Sequence, residues 1–418
     1  ETQAADRIQI QLLSDPTMDG VYNSNVPFEI SVADPVSGDT YSGLRHVSWE
    51  ITNGETVTQK GNYDSETDGD ANRSKRIDSL TKHETVSAEK NNGNDIQIHV
   101  YTEDWAGNKA EKSLSLIIDT TKPVISMSYD NQDVHNGKYY NKDRNMTLTI
   151  QERNFKESGI SLPIVVDGQS YNVSMQDIRN GRLGLVMVSD AHDSQSGFSK
   201  EEWTDDRTVT YIIGFGHASN TDDDYTVSAS AEDMAANQNS ESGESFTIDK
   251  IAPVIAVSLT SASGTLDPST DAYNPAYSRS AVQAEVTIEE RNFDGKDAST
   301  QVTQKNVEGK DLSVYSVPDV RSGWTSRNGA NYYTFPTFSN DANYSLSLGY
   351  TDLAGNQAVA YTPHYFTVDQ TAPVGSLTTG TKGESSIFNT LVNLIRFWFY
   401  SNTAIPVSGT YSDETAGI

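Results

Sequence analysis

A five-residue pattern occurs three times along this chain of 418 residues, and each copy is followed by an aspartate and then a proline. The copies read DWAGN at 104–108, DMAAN at 233–237 and DLAGN at 352–356, and they begin 129 and 119 residues apart. Self-similarity at a nearly constant period indicates that one folding unit has been repeated. The chain is therefore predicted to contain three copies of one module.

Apolar and polar residues alternate on both sides of the pattern. In the first copy, apolar residues occupy every second position of 96–100 and of 114–118. A period of two is typical of strands with one buried face, and aspartate, glycine and asparagine favour a tight turn between two strands. Each copy is thus predicted to be an antiparallel hairpin, and the proline that follows ends the ladder of hydrogen bonds.

The repeats place module boundaries near residues 120, 251 and 371. They predict domains over 1–120, 121–251, 252–371 and 372–418. The last of these has 47 residues, which is too few to bury a core of its own. It is predicted to be the N-terminal part of a truncated fourth module, and the parent protein is expected to continue.

Composition narrows the classes of function. The chain has no cysteine and carries 58 acidic against 30 basic side chains, a net charge of −28. Disulfides and thiolate metal sites are therefore excluded, and an acidic surface argues against binding to nucleic acid or to anionic lipid. No apolar stretch reaches the roughly 18 residues of a membrane span, so no membrane insertion is expected within this fragment. The partners predicted are cations, basic surfaces or neutral molecules such as glycans.

The pairing of D-x-A-G-N with I-D-x-x-x-P about 15 residues later resembles the C-terminal hairpin and linker of bacterial immunoglobulin-like (Ig-like) repeats. Such repeats occur in secreted and wall-attached proteins of Gram-positive bacteria. The second and third units extend the resemblance with ERNF at 152–155 and 290–293 and with a later tryptophan. It implies an all-β fold of tandem Ig-like antiparallel β-sandwiches in an extended array. It also implies an extracellular protein, attached to the cell wall through a region outside this fragment.

One segment of the fourth unit has helical rather than strand spacing. Apolar residues at 388, 391, 392, 395 and 399 fall on one face of a helix over 387–399. About 13 residues are too few to span a bilayer. A short helix that packs against the incomplete last module is predicted, and the alternative is an exposed apolar face that is available to a partner.

Several aromatic residues recur at matching positions. Tyr225 and Tyr344 stand eight residues before the repeated aspartate, where a tyrosine corner would bond its hydroxyl to backbone. Trp49 alternates as a strand residue and is predicted to fill the core between sheets. Trp203 and Trp324 are predicted to pack in the core or at an edge, with exposed anchors for a sugar or a protein as the alternative.

Aspartates at the module ends are candidate calcium ligands, because some relatives in the bacterial Ig-like class bind calcium with such carboxylates. One set closes the last strand of each module, and the other lies in the repeated turn. The candidates are Asp104, Asp119, Asp233, Asp249, Asp352 and Asp369. Calcium takes six to eight oxygen ligands, and one aspartate with carbonyls is a small supply. Turn formation and capping therefore remain the alternative roles.

No catalytic or cofactor-binding residues are predicted. The seven histidines share no metal-ligand spacing, and no nucleophile or phosphate-binding motif occurs. The favoured function is a non-enzymatic surface protein, an adhesin or stalk that binds molecules of a host or of a neighbouring cell. Capture of a soluble host glycoprotein or immunoglobulin is one alternative, and spacer modules of a large secreted glycosidase or protease are another. A long polar insertion over 53–94 in the first unit is either a ligand contact or a solvated loop.

Overall fold

The computed structural model of the chain describes residues 7–34, 42–67, 77–130, 133–192, 207–379, 407–413 and 415. It is almost entirely β, with 57% strand and 4% helix, and the predicted all-β fold class of tandem sandwiches is confirmed. The helix predicted over 387–399 and Trp203 lie outside the described residues. No helix among the described residues is long and apolar enough to cross a membrane.

The first repeat is an antiparallel sandwich of two sheets. Its strands are β1 (Arg7–Leu12), β2 (Val26–Ala33), β3 (Leu44–Asn53), β4 (Thr56–Asp64), β5 (Ser79–Val86), β6 (Gly93–Asp104) and β7 (Lys109–Ile118). One sheet has the order β1-β2-β5 and the other β4-β3-β6-β7. The polar insertion over 53–94 therefore contributes two strands, β4 and β5, and its interpretation as a solvated loop is wrong for those strands.

Trp49 lies in the core of the first sandwich, as predicted, with 7% of its surface exposed. Its indole covers Gly61 on the neighbouring strand β4, which is its partner in the β3–β4 register. A Cβ atom at position 61 would lie 2.3 Å from the indole, so only glycine leaves room for this packing.

The second repeat contains another pair of sheets. Its strands are β8 (Val124–Tyr129), β9 (Tyr139–Tyr140), β10 (Arg144–Glu152), β11 (Leu162–Val166), β12 (Gln169–Val173), β13 (Val186–His192), β14 (Arg207–Phe215), β15 (Asp222–Glu232) and β16 (Gln238–Asp249). One sheet has the order β13-β14-β10-β8, and the other contains β12-β11-β15-β16 in that order. Short helices accompany them: α1 (Met175–Arg179) and 3-10 turns at Glu157–Gly159 and Arg182–Gly184.

The third repeat follows the same plan. Its strands are β17 (Val254–Ser261), β18 (Gly264–Leu266), β19 (Ala276–Ser278), β20 (Val282–Glu289), β21 (Ser299–Lys305), β22 (Thr325–Arg327), β23 (Ala330–Thr334), β24 (Ala342–Gly349) and β25 (Tyr361–Val368), with a 3-10 turn at Gly295–Asp297. The sheets have the orders β18-β17-β20-β23-β22 and β19-β25-β24-β21. Beyond them, β26 (Val374–Thr379) pairs with β27 (Val407–Ser412).

The chain divides into two compact units. One contains residues 1–134 and 142–248, and the other contains residues 135–141 and 249–418. The first unit therefore holds most of the first and second repeats, and the second unit holds the third repeat with the β26–β27 pair. The module boundaries at 120, 251 and 371 stay predictions.

The repeated pentapeptide forms the predicted hairpin turn in all three copies. It joins β6 to β7, β15 to β16, and in the third repeat leads from β24 towards β25. The fourth residue of each turn has a positive φ, which is 88° at Gly107, 64° at Ala236 and 89° at Gly355. Glycine adopts this conformation without strain, whereas alanine pays a steric penalty there.

The two candidate tyrosine corners differ. The hydroxyl of Tyr344 donates to the backbone carbonyl of Asn340 at 2.9 Å, so this tyrosine corner is confirmed. For Tyr225 the prediction of a backbone acceptor is wrong, because its hydroxyl donates to the carboxylate of Asp223 at 3.1 Å. An acidic residue two positions upstream thus replaces the backbone carbonyl as the acceptor.

Trp324 packs inside the third repeat, as the core or edge prediction states. Its indole nitrogen donates to the backbone carbonyl of Val320 at 2.6 Å. Its ring meets Phe293 edge to face, with 5.1 Å between centroids. Both polar and apolar parts of the side chain are therefore engaged within the module.

Candidate functional site

Three carboxylates from distant parts of the first unit meet in its interior. Asp119, Glu152 and Asp233 each bring one carboxylate oxygen within 4.8 Å of the others. Only 0%, 3% and 1% of their surfaces are exposed. Carboxylates this close and this far from water repel one another unless protons, cations or hydrogen-bond donors compensate the charge. We call these three residues the first carboxylate cluster.

The fold explains why the first cluster forms. Asp119 directly follows β7 at the end of the first repeat, whereas Glu152 is the last residue of β10 in the second. Asp233 lies in the pentapeptide turn between β15 and β16. The cluster therefore lies where the chain passes from the first repeat into the second, and both repeats contribute to it.

Two asparagines of the second repeat hold the first cluster together. The Asn154 side-chain amide donates to the Asp119 carboxylate at 2.5 Å, and its backbone N–H donates to Glu152 at 2.8 Å. The Asn237 amide donates both to the backbone carbonyl of Asp119 and to the carboxylate of Asp233, each at 2.9 Å. The end of the first repeat is thus bound through its side chain and its backbone.

One cationic side chain accompanies the first cluster. A guanidinium nitrogen of Arg153 lies 3.1 Å from the Asp119 carboxylate and 2.8 Å from the side-chain oxygen of Asn92. An ion pair therefore forms at this strand end. With all three carboxylates ionised, the arginine would leave two negative charges uncompensated in the interior.

A second cluster with the same design lies in the second unit. Asp249, Glu290 and Asp352 are buried and also bring carboxylate oxygens within 4.8 Å of one another. The Asn292 side chain donates to Asp249 at 2.9 Å, and its backbone N–H donates to Glu290 at 2.5 Å. We call these three acidic residues the second carboxylate cluster.

The second cluster also repeats the role of the turn asparagine. Asn356 donates from its amide to the backbone carbonyl of Asp249 and to the carboxylate of Asp352, each at 2.9 Å. The two clusters thus share their acids, their donors and the connectivity of their hydrogen bonds. Because equivalent residues form this geometry twice, it is a recurring structural feature of the module and not a property of one loop.

Burial perturbs the titration of both clusters. The pKa of Glu152 is raised to about 8, chiefly by burial and in addition by the nearby Asp119 and Asp233. Burial also raises the pKa of Asp233, and it does the same for Asp249 and Asp352 in the second cluster. A proton on Glu152 is therefore one way to relieve the repulsion at neutral pH.

A divalent cation is another way to relieve the repulsion. Carboxylate and carbonyl oxygens are the ligands that Ca²⁺ prefers, and the first cluster supplies three carboxylates. Its two uncompensated negative charges equal the charge of one calcium ion. The residues present therefore fit Ca²⁺, although several of their oxygens also accept hydrogen bonds from Asn154 and Asn237. The calcium prediction itself stays a prediction.

The six predicted calcium ligands fall into two groups. Four of them belong to the clusters: Asp119, Asp233, Asp249 and Asp352. Asp104 and Asp369 join no such group among the described residues. The Asp104 carboxylate accepts from the side-chain amide and the backbone N–H of Asn108 in its own turn, at 2.8 and 2.9 Å, and the Asp369 carboxylate accepts from the backbone N–H of Thr371 at 3.0 Å. The alternative roles of turn formation and capping therefore describe these two residues.

Sequence reasoning missed the glutamates and asparagines of the clusters. The sequence pattern identifies Glu152 and Glu290 only as part of the ERNF motif, yet they provide one carboxylate of each cluster. The available signal was the distribution of ERNF, which occurs in the second and third repeats and not in the first. A motif restricted to modules that follow another module indicates a contact with that preceding module.

The comparisons with known proteins concern the fold. No protein-family description matches the chain, and no curated protein is similar to it. Similar solved structures include part of a 1.5-MDa bacterial ice-binding adhesin, with 14% identity, a TM-score of 0.28 and coverage of 88% of this chain and 100% of that one.

Two further solved structures are similar to the chain. A tetra-tandem repeat from the extending region of a large adhesion protein has 14% identity and a TM-score of 0.33, over 97% of this chain and 80% of that one. The C-terminal domain of the Streptococcus agalactiae AgI/II polypeptide BspA has 9% identity and a TM-score of 0.22, over 59% of this chain and 100% of that one. At these values the likeness supports no conclusion about function.

Proposed function

We propose that the chain is a non-enzymatic segment of a bacterial cell-surface protein, in which tandem Ig-like modules form an extended stalk that presents an adhesive surface. The observation that carries the proposal is the repeated binding of one module's terminal aspartate by the next ERNF motif. Asn154 holds Asp119 in this way, and Asn292 holds Asp249. Buried charge-assisted hydrogen bonds at the connection restrict rotation between modules, which a stalk requires.

Small-angle X-ray scattering of the whole chain tests the stalk. A compact globule of this length would have a radius of gyration of about 22 Å. We expect a clearly larger radius, because modules joined end to end extend the molecule. Replacing Asn154 and Asn292 by alanine should broaden the distribution of maximum dimensions. A radius near that of a globule would contradict the proposal.

Calcium is the cofactor we propose for the two clusters. A bound ion would join the terminal aspartate of one repeat to the glutamate and the turn aspartate of the next, as Asp119, Glu152 and Asp233 are arranged. It would thereby stiffen the connection and replace the proton on Glu152. Stiffening of this kind suits a protein that acts outside the cell.

A retention assay separates the functional alternatives. The chain is coupled to beads and exposed to whole cells, to serum and to glycans, and bound material is measured. An adhesin retains cells or cell-surface glycans, whereas capture of a soluble glycoprotein or immunoglobulin retains serum protein. If the beads retain none of these and a longer parent protein hydrolyses glycan or peptide, the spacer function would be favoured instead.

A further inference from the structure

The third repeat has an open groove on the outer face of its sheet β19-β25-β24-β21. The groove has a volume of about 810 Å³, within the range of roughly 300 to 1,000 Å³ typical of ligand pockets. Its floor is the sheet itself, and its walls are the loop before β19 and the turn after β21. Ala272, Tyr273 and Pro275 line the first wall, and Asn306, Val307 and Gly309 line the second. Thr415 also lines the groove, and its backbone carbonyl accepts from the Asn343 side chain at 3.1 Å.

The register of the strands explains the polar floor. Gln301 pairs with Ser347, Thr303 with Ser345, and Lys305 with Asn343 in the β21–β24 ladder. Because side chains alternate across a strand, all six of these side chains point to the outer face. The alternate residues of β24, which include Tyr344 and Leu346, are buried in the core. A row of amides and hydroxyls therefore lines the groove.

Three tyrosines provide an aromatic platform in the groove. Tyr273 is almost fully exposed, at 96%, and Tyr277 is 55% exposed. Tyr365 joins them on β25, opposite Ser345 of β24. An aromatic ring that is exposed to solvent makes few packing contacts within its own module. It offers a partner a large contact area at low entropic cost. The ring faces are therefore suited to contacts with a ligand.

The charge of the residues that line the groove limits the class of ligand that it can bind. Among the described residues that line this groove none is acidic, and Lys305 is the charged residue there. A site for cations or for basic peptides would need carboxylates. Among the described residues, the Gln301 side-chain amide has no hydrogen-bond partner, so its donors and acceptor are available to a ligand.

We propose that this groove binds a short oligosaccharide of neutral sugars. The apolar faces of sugar rings pack on the tyrosines, and their hydroxyls exchange hydrogen bonds with Gln301 and with the hydroxyls of Thr303 and Ser347. The inference rests on the proposed surface function and names the class of ligand. It also assigns the ligand to the third repeat.

Titration of the 418-residue chain with neutral oligosaccharides tests the site. The probes are short oligomers of glucose, galactose, mannose and N-acetylglucosamine, and binding is followed by calorimetry and by saturation-transfer NMR. We expect at least one probe to bind, and Tyr273→Ala and Tyr277→Ala each to weaken that binding tenfold or more. Tyr411→Ala is the matched control, since Tyr411 is 69% exposed on β27 and does not line the groove.

The outcomes of the oligosaccharide titration can be distinguished from those of the scattering experiment that tests the stalk. Unchanged unfolding temperatures of the tyrosine variants would show that they remain folded. Failure of every neutral probe at millimolar concentration would overturn the inference, as would undiminished binding by Tyr277→Ala or a response to acidic oligosaccharides alone. None of these results alters the scattering profile, which tests the stalk independently.

Discussion

The side-chain amide of Asn154 donates a hydrogen bond of 2.5 Å to the carboxylate of Asp119, and both groups are buried. Asp119 ends one repeat, and Asn154 belongs to the ERNF motif of the next. Asn292 makes the same bond to Asp249 at 2.9 Å. Two repeats of the first unit are therefore connected by a buried polar contact, and the second unit contains the equivalent buried contact.

Replacing Asn154 by alanine should lower the free energy of unfolding by about 2 kcal/mol. The change leaves the buried Asp119 carboxylate without its shortest donor, and an unsatisfied buried acceptor costs about 1 to 3 kcal/mol. Urea unfolding followed by fluorescence measures the effect. Asn62→Ala is the matched control, because Asn62 is exposed on β4. Equal stability of the two variants would show that the bond to Asp119 contributes nothing.

Acidification should stabilise the first unit. The pKa of Glu152 is about 8 in the folded protein and near 4.5 in the unfolded chain, so the folded state retains a proton that the unfolded state releases. The stability from this proton is complete below pH 4.5 and is lost as the pH rises towards 8. We expect a gain on the order of 2 kcal/mol between pH 8 and pH 5 without divalent cations. Urea unfolding at several pH values measures it.

Glu152→Gln separates this effect from the general charge of the chain. Glutamine keeps the acceptor for the Asn154 backbone N–H but cannot ionise. The variant should be at least as stable as the natural protein at pH 8, and its stability should depend less on pH between 5 and 8. An identical pH dependence in both proteins would assign the effect to relief of the net charge of −28 instead.

Much of each module could be predicted from local sequence. The alternation around 96–100 and 114–118 identified a hairpin, and the pentapeptide identified its turn, because strand period and turn chemistry are properties of neighbouring residues. The core position of Trp49 followed from the same alternation. The strands within 53–94 were not identified, since the composition of that segment is hydrophilic and only its pairing with other strands makes it regular.

The clusters could be predicted only in part. Asp119 and Asp233 were recognised as candidates, but their contact joins residues of two modules that are distant in sequence. Burial of Glu152 depends on the end of the preceding module, so the sequence around Glu152 alone resembles an exposed strand end. The acceptor of the Tyr225 hydroxyl could not be predicted from the fold class either, because the hydroxyl donates to the nearby Asp223 carboxylate instead of a backbone carbonyl.

Replacing Ala236 by glycine should stabilise the protein by about 0.5 to 1 kcal/mol. Ala236 has φ of 64°, where an L side chain is strained, whereas Gly107 occupies the same turn position without strain. Relief of this strain outweighs the larger backbone entropy of glycine in the unfolded chain. The midpoint of urea unfolding measures the change.

The reciprocal change provides the control for Ala236→Gly. Gly107→Ala should destabilise the protein by a similar amount, because φ is 88° there. A Cβ at position 107 would meet no atom within 4 Å, so the effect reports backbone conformation rather than a steric clash with neighbours. Changes of the same sign in both variants would contradict the explanation.

Calcium should raise the unfolding temperature, and its removal by a chelator should lower it. A ligand at a hundred times its dissociation constant stabilises a folded protein by about 2.7 kcal/mol. Because Ca²⁺ competes with the proton on Glu152, the increase should be larger at pH 8 than at pH 5. Magnesium should give a smaller increase, since it requires a stricter octahedral arrangement of oxygens. Calorimetry in calcium, magnesium and chelator measures these differences.

The double variant Glu152→Gln, Glu290→Gln decides whether the clusters are responsible for any effect of calcium. It removes one carboxylate from each cluster and leaves the many surface carboxylates in place. If Ca²⁺ binds at the clusters, the variant should lose most of the calcium-dependent increase in unfolding temperature. An undiminished increase would mean that calcium acts by screening the acidic surface. The connections at Asp119 and Asp249 would then be stabilised without calcium, by protons, by asparagine amides and, at Asp119, by Arg153.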